Sequence, residues 1–275
     1  MSLGIWGTLP LETLAALFGV AIAAGSIDAM AGGGGLLCLP ALLWSGLTPA
    51  QTLATNKAQS VFGTGSAAWH FHRQGAIDLK TMRSAVVTVF FGAVAGTITV
   101  QRIDPGFLRT ALPVLLVGIA AYFLFKHNLG EADRHERISL NMFTLTVAPL
   151  IGFYDGFFGP GAGSFYAIAL VDLLGFNLTR ATANTKLLNL TSNFAALLAF
   201  LLGGQIVWSA ALAMAVGQLI GGRIGSHLVL AKGSRLVRPL LVVMSLAMTV
   251  KLVAADEQNW AHKLAVNVWQ WAVNS

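Results

Sequence analysis

Two segments of this chain resemble one another in their pattern of Gly, Thr, Asn and Lys residues. Gly46 to Lys57 has the sequence GLTPAQTLATNK, and Gly175 to Lys186 has the sequence GFNLTRATANTK. The two segments are 129 residues apart, and each follows an Asp and a cluster of glycines within an apolar run. A polar element that occurs twice in apolar sequence is typical of a transport site between two structural repeats. The chain is therefore predicted to fold as two related halves around one site.

The apolar runs around these segments are long enough to cross a membrane. Only 10% of the 275 residues are charged and 56% are hydrophobic, whereas about 25% of a soluble domain is charged. About 20 apolar residues span the hydrocarbon core of a bilayer. We therefore predict an all-α, polytopic integral membrane protein. Its apolar runs cover residues 13–47, 84–101, 106–125, 138–171, 187–222 and 236–250.

The repeats divide the chain into four parts. Repeat one is predicted at 1–126 and repeat two at 138–254. The linker at 127–137 lies in the charged stretch KHNLGEADRHER, whose first residue is the last residue of repeat one. Residues 255–275 contain three Trp residues and are predicted to form a tail at the membrane interface. Each repeat holds four membrane elements, about eight in all, at 9–45, 50–72, 81–101, 106–126, 138–172, 179–202, 206–231 and 236–254.

Loop charges favour inverted rather than parallel repeats. The connection after the second element carries Arg73, Lys80 and Arg83, while its counterpart around GGQIVW carries no charge. Positive loops tend to lie on the cytoplasmic side, so equivalent loops are predicted on opposite sides of the membrane. Arg102 and Arg109 then lie outside, against this tendency. Inverted repeats require an odd number of membrane crossings in each repeat, and a re-entrant first element would make the number odd.

Glycine clusters interrupt the first element of each repeat. Residues 25–35 contain four consecutive glycines, and residues 152–163 contain Gly-Pro-Gly-Ala-Gly. Glycine costs about 1 kcal/mol relative to alanine in a helix and proline removes a backbone donor, so both helices should open here. Unwound backbone at membrane depth must face protein or water. Gly33, Gly34 and Gly161 are therefore predicted at an anion-binding cavity, where free N–H groups begin a half-helix; close helix crossing is the alternative role.

An acidic residue precedes each glycine cluster. Asp28 lies before the first cluster and Asp155 before the second. Each carboxylate could carry a coupling proton or gate the substrate, or it could cap the half-helix by accepting backbone N–H groups. The sequence leaves both roles open.

The duplicated segments place a Lys in each half among polar residues. An ionisable side chain in an apolar segment indicates a functional site, because inserting it costs about 2.5–3.5 kcal/mol. The alternative is that each Lys snorkels to the headgroups. Polar neighbours at helical spacing favour a site for a small anion. The predicted substrate-binding side chains are Lys57, Lys186, Asn56, Thr55, Asn184, Thr185 and Asn189.

These motifs resemble the TauE/SafE sulfite exporter family of membrane transporters. The resemblance rests on Gly-Ser-Ile-Asp28 with its glycine cluster, on Thr55-Asn56-Lys57 and on their second copies, and extends over roughly residues 10–254. It implies a multi-pass protein of the bacterial plasma membrane that moves sulfite or another small sulfur-containing or organic anion such as a sulfonate. The second copy has Gly-Pro-Gly and Asn-Thr-Lys instead, so the two half-sites are predicted to be unequal.

The predicted function is secondary transport of a small anion, with export favoured. An anion channel and an importer of a related organic anion are the alternatives, and a coupled proton or cation is an open partner. We expect no cofactor, no metal and no enzymatic activity, since neither an HExxH nor a GxSxG motif occurs. Nucleic acid is excluded as a partner because no basic patch with interleaved aromatic residues is present, and a homodimer is left open.

Overall fold

The computed structural model describes residues 9–125 and 136–232, and these residues form helices joined by short turns. The all-α class predicted from the sequence is confirmed. The helices, in chain order, are α1 Leu11–Ala31, α2 Gly35–Trp44, α3 Pro49–Arg73, α4 Leu79–Gln101, α5 Pro105–Phe125, α6 Leu140–Leu145, α7 Val147–Phe157, α8 Ala162–Asp172, α9 Leu178–Gly203 and α10 Trp208–Lys232.

The first element of each repeat is broken at its glycine cluster, as predicted. Helix α1 ends at Gly32 in the left-handed conformation with φ of 78°, and α2 begins three residues later. In the second repeat, Gly159 and Gly161 have φ of 96° and 78° between α7 and α8. Glycine adopts this conformation without the steric penalty of a Cβ. The two clusters therefore terminate one helix and start the next within an apolar run.

The second repeat has a further interruption that was not predicted. Helix α6 ends at Leu145 and α7 begins after Thr146, whose φ of −120° and ψ of −69° depart from helical values. Pro149 follows in the first turn of α7. A proline ring clashes with the carbonyl four residues earlier, which here belongs to Leu145. The predicted element at 138–172 is therefore three helices rather than two.

The duplicated segments form the first turns of α3 and α9. The hydroxyl of Thr48 accepts the N–H of Gln51, and Asn177 Oδ1 accepts the N–H of Arg180 at 2.9 Å. These N-caps are 129 residues apart, and each sets the start of its helix. Lys57 and Lys186 are consequently the ninth residue of their helices. At a rise of 1.5 Å per residue, each lies about 12 Å along its helix.

The first element of each repeat packs against the third element of the other repeat. Helix α1 packs on α10, and α7 packs on α4. A Cβ on Gly96 would overlap the carbonyl oxygen of Phe153, and a Cβ on Gly225 would overlap that of Ser26. These two contacts occur at equivalent positions of the two repeats. Small residues on α4 and α10 thus allow the two helices of each contact to pack closely.

Most predicted elements coincide with described helices. The second, third and fourth elements are α3, α4 and α5, and the sixth and seventh are α9 and α10. The eighth element at 236–254, the tail at 255–275 and all but two residues of the linker at 127–137 lie outside the described residues. The inverted relation between the repeats stays a prediction. Among the described helices, three are long and apolar enough to cross a membrane: Leu11–Met30, Leu79–Gln101 and Leu178–Gly203.

Candidate functional site

The two helix breaks meet in the interior of the protein. A Cβ added to Gly32 would overlap the backbone of Gly163, and a Cβ on Gly163 would lie 2.6 Å from Gly32 Cα. Helices α3 and α9 pack against each other beside these breaks. This packing brings the polar faces of both duplicated segments to the unwound backbone of both repeats.

Each buried Lys pairs with the Asp of the other repeat. Lys57 Nζ donates to Asp155 Oδ1 at 2.5 Å. Lys186 Nζ lies 3.3 Å from Asp28 Oδ2 and also donates to the Asp28 carbonyl. The sequence indicated these four residues as site residues, and the structure brings them together in two crossed ion pairs. The pairing itself was not predicted.

The snorkelling alternative for the two lysines is wrong. Lys57 is 1% exposed and Lys186 is 0% exposed. Their ammonium groups point into the protein, where each meets a carboxylate. A buried ammonium requires such a partner, because removing a charge from water carries a large desolvation penalty. The lysines are therefore part of the protein interior and not interface anchors.

Asp155 is held by side chains on two helices. Its Oδ1 accepts from Lys57 on α3, and its Oδ2 accepts from the hydroxyl of Ser192 on α9. Lys57 also donates to Asn193 Oδ1 at 3.1 Å. In the described part of the chain, both carboxylate oxygens of Asp155 are therefore taken by side chains. In this part of the chain, Asp155 therefore binds side chains and not the backbone N–H groups that a capping residue would accept.

Asp28 has a different environment. Its Oδ1 accepts the backbone N–H of Gly34 at 3.2 Å, at the start of α2. Its side chain is 14% exposed, against 2% for Asp155. Asp28 therefore accepts a backbone N–H at the start of the half-helix, as the capping alternative describes, and also faces Lys186. The pair is longer and less enclosed than Lys57–Asp155.

A small polar cavity lies beside the two pairs, and three of their four members line it. Its volume is about 20 Å³, and roughly 10–15 Å³ is enough for one water molecule. Both breaks, α3, α9 and α10 contribute to its wall. The lining residues are Asp28, Gly32, Gly34, Gly35, Asn56, Lys57, Ser60, Thr64, Asp155, Gly159, Gly163, Asn189, Asn193 and Gln218.

Two of the predicted binding residues instead support the fold. Thr55 Oγ1 accepts the N–H of Val207 at 3.0 Å, just before α10. Asn184 Oδ1 accepts the N–H of Asp78 at 3.3 Å, just before α4. The two contacts are again equivalent in the two repeats. Each side chain holds the start of the third element of the opposite repeat and lies off the cavity wall.

Four further predicted residues, Gly33, Gly161, Thr185 and Lys186, are buried but do not line the cavity, although Lys186 contacts the cavity residue Asp28. The Gly33 carbonyl accepts the N–H of Leu36 at 3.0 Å, and the Gly161 carbonyl accepts that of Phe165 at 3.0 Å. Both glycines thus shape the breaks. The Thr185 hydroxyl is buried and has no hydrogen-bond partner among the described residues.

Gln218 is a cavity residue that the sequence analysis did not name as a site residue. It lies on α10, is 3% exposed, and donates from Nε2 to Cys38 Sγ at 3.5 Å. Its amide packs where a Cβ on Gly25 or Gly63 would be. The available signal was an amide within the apolar sequence AMAVGQLIGG. Such a residue in a membrane helix commonly faces the protein interior.

Comparison with known proteins identifies the family. The family described as sulfite exporter TauE/SafE matches residues 17–252. The chain belongs to this family. Among its relatives, a probable membrane transporter protein of Haemophilus influenzae is 46% identical over 92% of this chain and 98% of its own length. The Escherichia coli K12 probable membrane transporter protein YfcA is 47% identical over 92% of this chain and 95% of its own length.

A more distant relative is the Bacillus subtilis probable membrane transporter protein YunE. It is 20% identical over 74% of this chain and 84% of its own length. No solved structure gives a significant match to the chain. The resemblance noted in the sequence is therefore confirmed, and the protein is a TauE/SafE membrane transporter protein with apolar helices of membrane-spanning length.

Proposed function

We propose that this protein is a secondary transporter that carries a small anion, such as sulfite or a sulfonate, across the bacterial plasma membrane, with export as the favoured direction. The multi-pass arrangement in the inner membrane is part of the proposal. The proposed transport function is supported by the family description and by the names of the relatives, which are those of membrane transporters.

One observation carries the choice of an anion. Two fully buried ammonium groups lie at the helix breaks: Lys57 lines a polar cavity, and Lys186 pairs with Asp28, which also lines it. Asn56, Asn189 and the backbone of the glycine clusters add hydrogen-bond donors around it. Cations and N–H donors at a helix start are the groups that bind oxyanions in proteins.

The aspartates set a condition on binding. Two carboxylates balance the two ammonium groups, so the four charged side chains sum to zero when all are ionised. An added anion gains most from the lysines once a carboxylate withdraws or takes up a proton. This arrangement supports coupling of anion movement to a proton or another cation, because neutralising one carboxylate of the site leaves it with a net positive charge.

The dimensions of the cavity favour a transporter over a channel. A space of about 20 Å³ is close to the size of a single water molecule, and an anion with four heavy atoms needs more room. Binding must therefore rearrange side chains or helix breaks. A coupled rearrangement of this kind is expected of alternating access. A channel, by contrast, binds its ions weakly enough for rapid passage.

Flux through purified, reconstituted protein tests this proposal. Proteoliposomes should be loaded separately with sulfite, sulfate, thiosulfate, taurine and short carboxylates, and flux measured with and without a pH gradient. The proposal predicts saturable flux of at least one oxyanion that responds to the gradient. Unsaturated flux that ignores the gradient would support a channel, and protein-free liposomes supply the background.

A further inference from the structure

The two Lys–Asp pairs are unequal for a reason that lies in the sequence. The repeat offset of 129 residues places Gly63 at the position of Ser192 and Thr64 at that of Asn193. Ser192 and Asn193 both hydrogen bond within the Lys57–Asp155 pair. Repeat one therefore lacks the hydroxyl that would hold Asp28.

Gln218 occupies the space that this missing hydroxyl leaves. A Cβ on Gly63 would overlap its side-chain oxygen, so the amide packs directly over the glycine. Its nitrogen is directed to Cys38. Among the described residues, the carboxylate of Asp28 is left with the Gly34 N–H at 3.2 Å and Lys186 at 3.3 Å.

The Asp28 carboxylate thus occupies a position, beside Lys186 and the Gly34 N–H, that would also suit a bound oxyanion. Its carboxylate faces a fully buried cation and one backbone N–H, and it lines the cavity. The cavity beside it is too small for a four-atom anion. Moving this less enclosed carboxylate would provide both the room and the positive charge. The equivalent movement of Asp155 would break contacts to Lys57 and Ser192.

We propose that the Asp28 carboxylate is an internal competitor of the transported anion. In this mechanism, the anion displaces it from Lys186 and from the Gly34 N–H, while Asp155 stays bound to Lys57 and keeps the two repeats joined. The inference rests on the proposed function and adds the residue that gates the site. It also assigns the two aspartates different roles, although they are equivalent in the repeats.

The matched variants Asp28→Asn and Asp155→Asn separate these roles. Titration calorimetry on the purified full chain with sulfite, and separately with methanesulfonate, measures the Kd. Removing the competing charge at Asp28 should lower the Kd by about tenfold or more, which corresponds to about 1.4 kcal/mol. Asp155→Asn should not tighten binding and should lower the midpoint of thermal unfolding.

A second pair of variants covers the case in which Asp28→Asn does not fold. Asp28→Ser also removes the charge and should tighten binding. Ser192→Ala loosens Asp155 and should change the Kd by less than about twofold. Equal tightening at both aspartates, or tightening by Ser192→Ala alone, would overturn the assignment.

The outcomes distinguish this inference from the function on which it rests. If the unaltered protein binds and transports an anion but no Asp28 variant binds it more tightly, the competitor role is wrong and the transport proposal stands. If the unaltered protein neither binds nor moves any anion of the panel, the proposed function fails, and the inference fails with it.

Discussion

Lys57 and Asp155 come from different repeats, yet their ammonium and carboxylate groups lie 2.5 Å apart with each side chain only 2% exposed. The pair joins α3 to α7, and Ser192 adds a contact from α9. It is thus a link between the halves of the protein as well as part of the cavity wall.

Removing one partner of this pair should destabilise the protein strongly. Asp155→Leu leaves Lys57 buried without its counter-charge, which costs about 3–5 kcal/mol. The double variant Lys57→Met/Asp155→Leu should recover most of this loss, because no unpaired charge remains. Thermal unfolding in detergent measures both. Lys80→Met, at an exposed Lys on α4, is the control. A double variant as unstable as the single would contradict the account.

Glycines at the helix crossings should not tolerate a side chain. Gly96→Ala and Gly225→Ala each place a Cβ against a carbonyl oxygen of the packed helix, so each should lower stability by about 1–3 kcal/mol. Gly19→Ala on α1 has no atom within 4 Å of the new Cβ and should not destabilise. The same unfolding assay compares them, and equal effects at all three positions would argue against close packing.

Gly32 should be required for transport for two reasons. Its φ is 78°, and a Cβ would also overlap the backbone of Gly163. Gly75 has a similar φ of 68° but open space around it, so it is a matched control. Both Gly→Ala variants should lose about 1–2 kcal/mol for the left-handed conformation, but Gly32→Ala should also separate the two breaks and abolish flux. Normal flux in Gly32→Ala would contradict this role.

Thr55 and Asn184 should affect stability rather than affinity. Thr55→Ala removes the acceptor for the Val207 N–H, which should cost about 1–3 kcal/mol because a buried donor loses its partner. Its anion Kd should stay within about twofold. Asn56→Ala, at a neighbouring position that does line the cavity, should weaken binding. Calorimetry with sulfite compares the two, and the reverse order of effects would return Thr55 to the binding site.

The sequence predicted the parts of the structure that depend on local chemistry. Glycine clusters in apolar runs could only interrupt helices, and both interruptions are present in the structure. The Pro149 interruption was equally local and could have been found from the proline alone.

The pairing within the site depends on contacts between distant segments. Lys57 and Asp155 are 98 residues apart, and Lys186 and Asp28 are 158 apart. Equivalence of the repeats showed which residues correspond, but it did not show that the first element of each repeat packs against the other repeat. Without knowledge of that packing, the sequence could not distinguish Thr55 and Asn184 from cavity residues. It also could not assign a counter-charge to either lysine.

Flux through the charge-balanced double variant Lys186→Gln/Asp28→Asn tests the central claim most directly. Neutralising both members of the pair leaves no buried unpaired charge, so the protein should fold, and its unfolding midpoint verifies this. Lys57→Gln/Asp155→Asn is the matched variant in the other pair, and Lys80→Gln is the control. The account predicts that anion flux in proteoliposomes falls to the protein-free background in both double variants and is unchanged in the control. Full flux in both double variants would show that the buried lysines do not form the anion site.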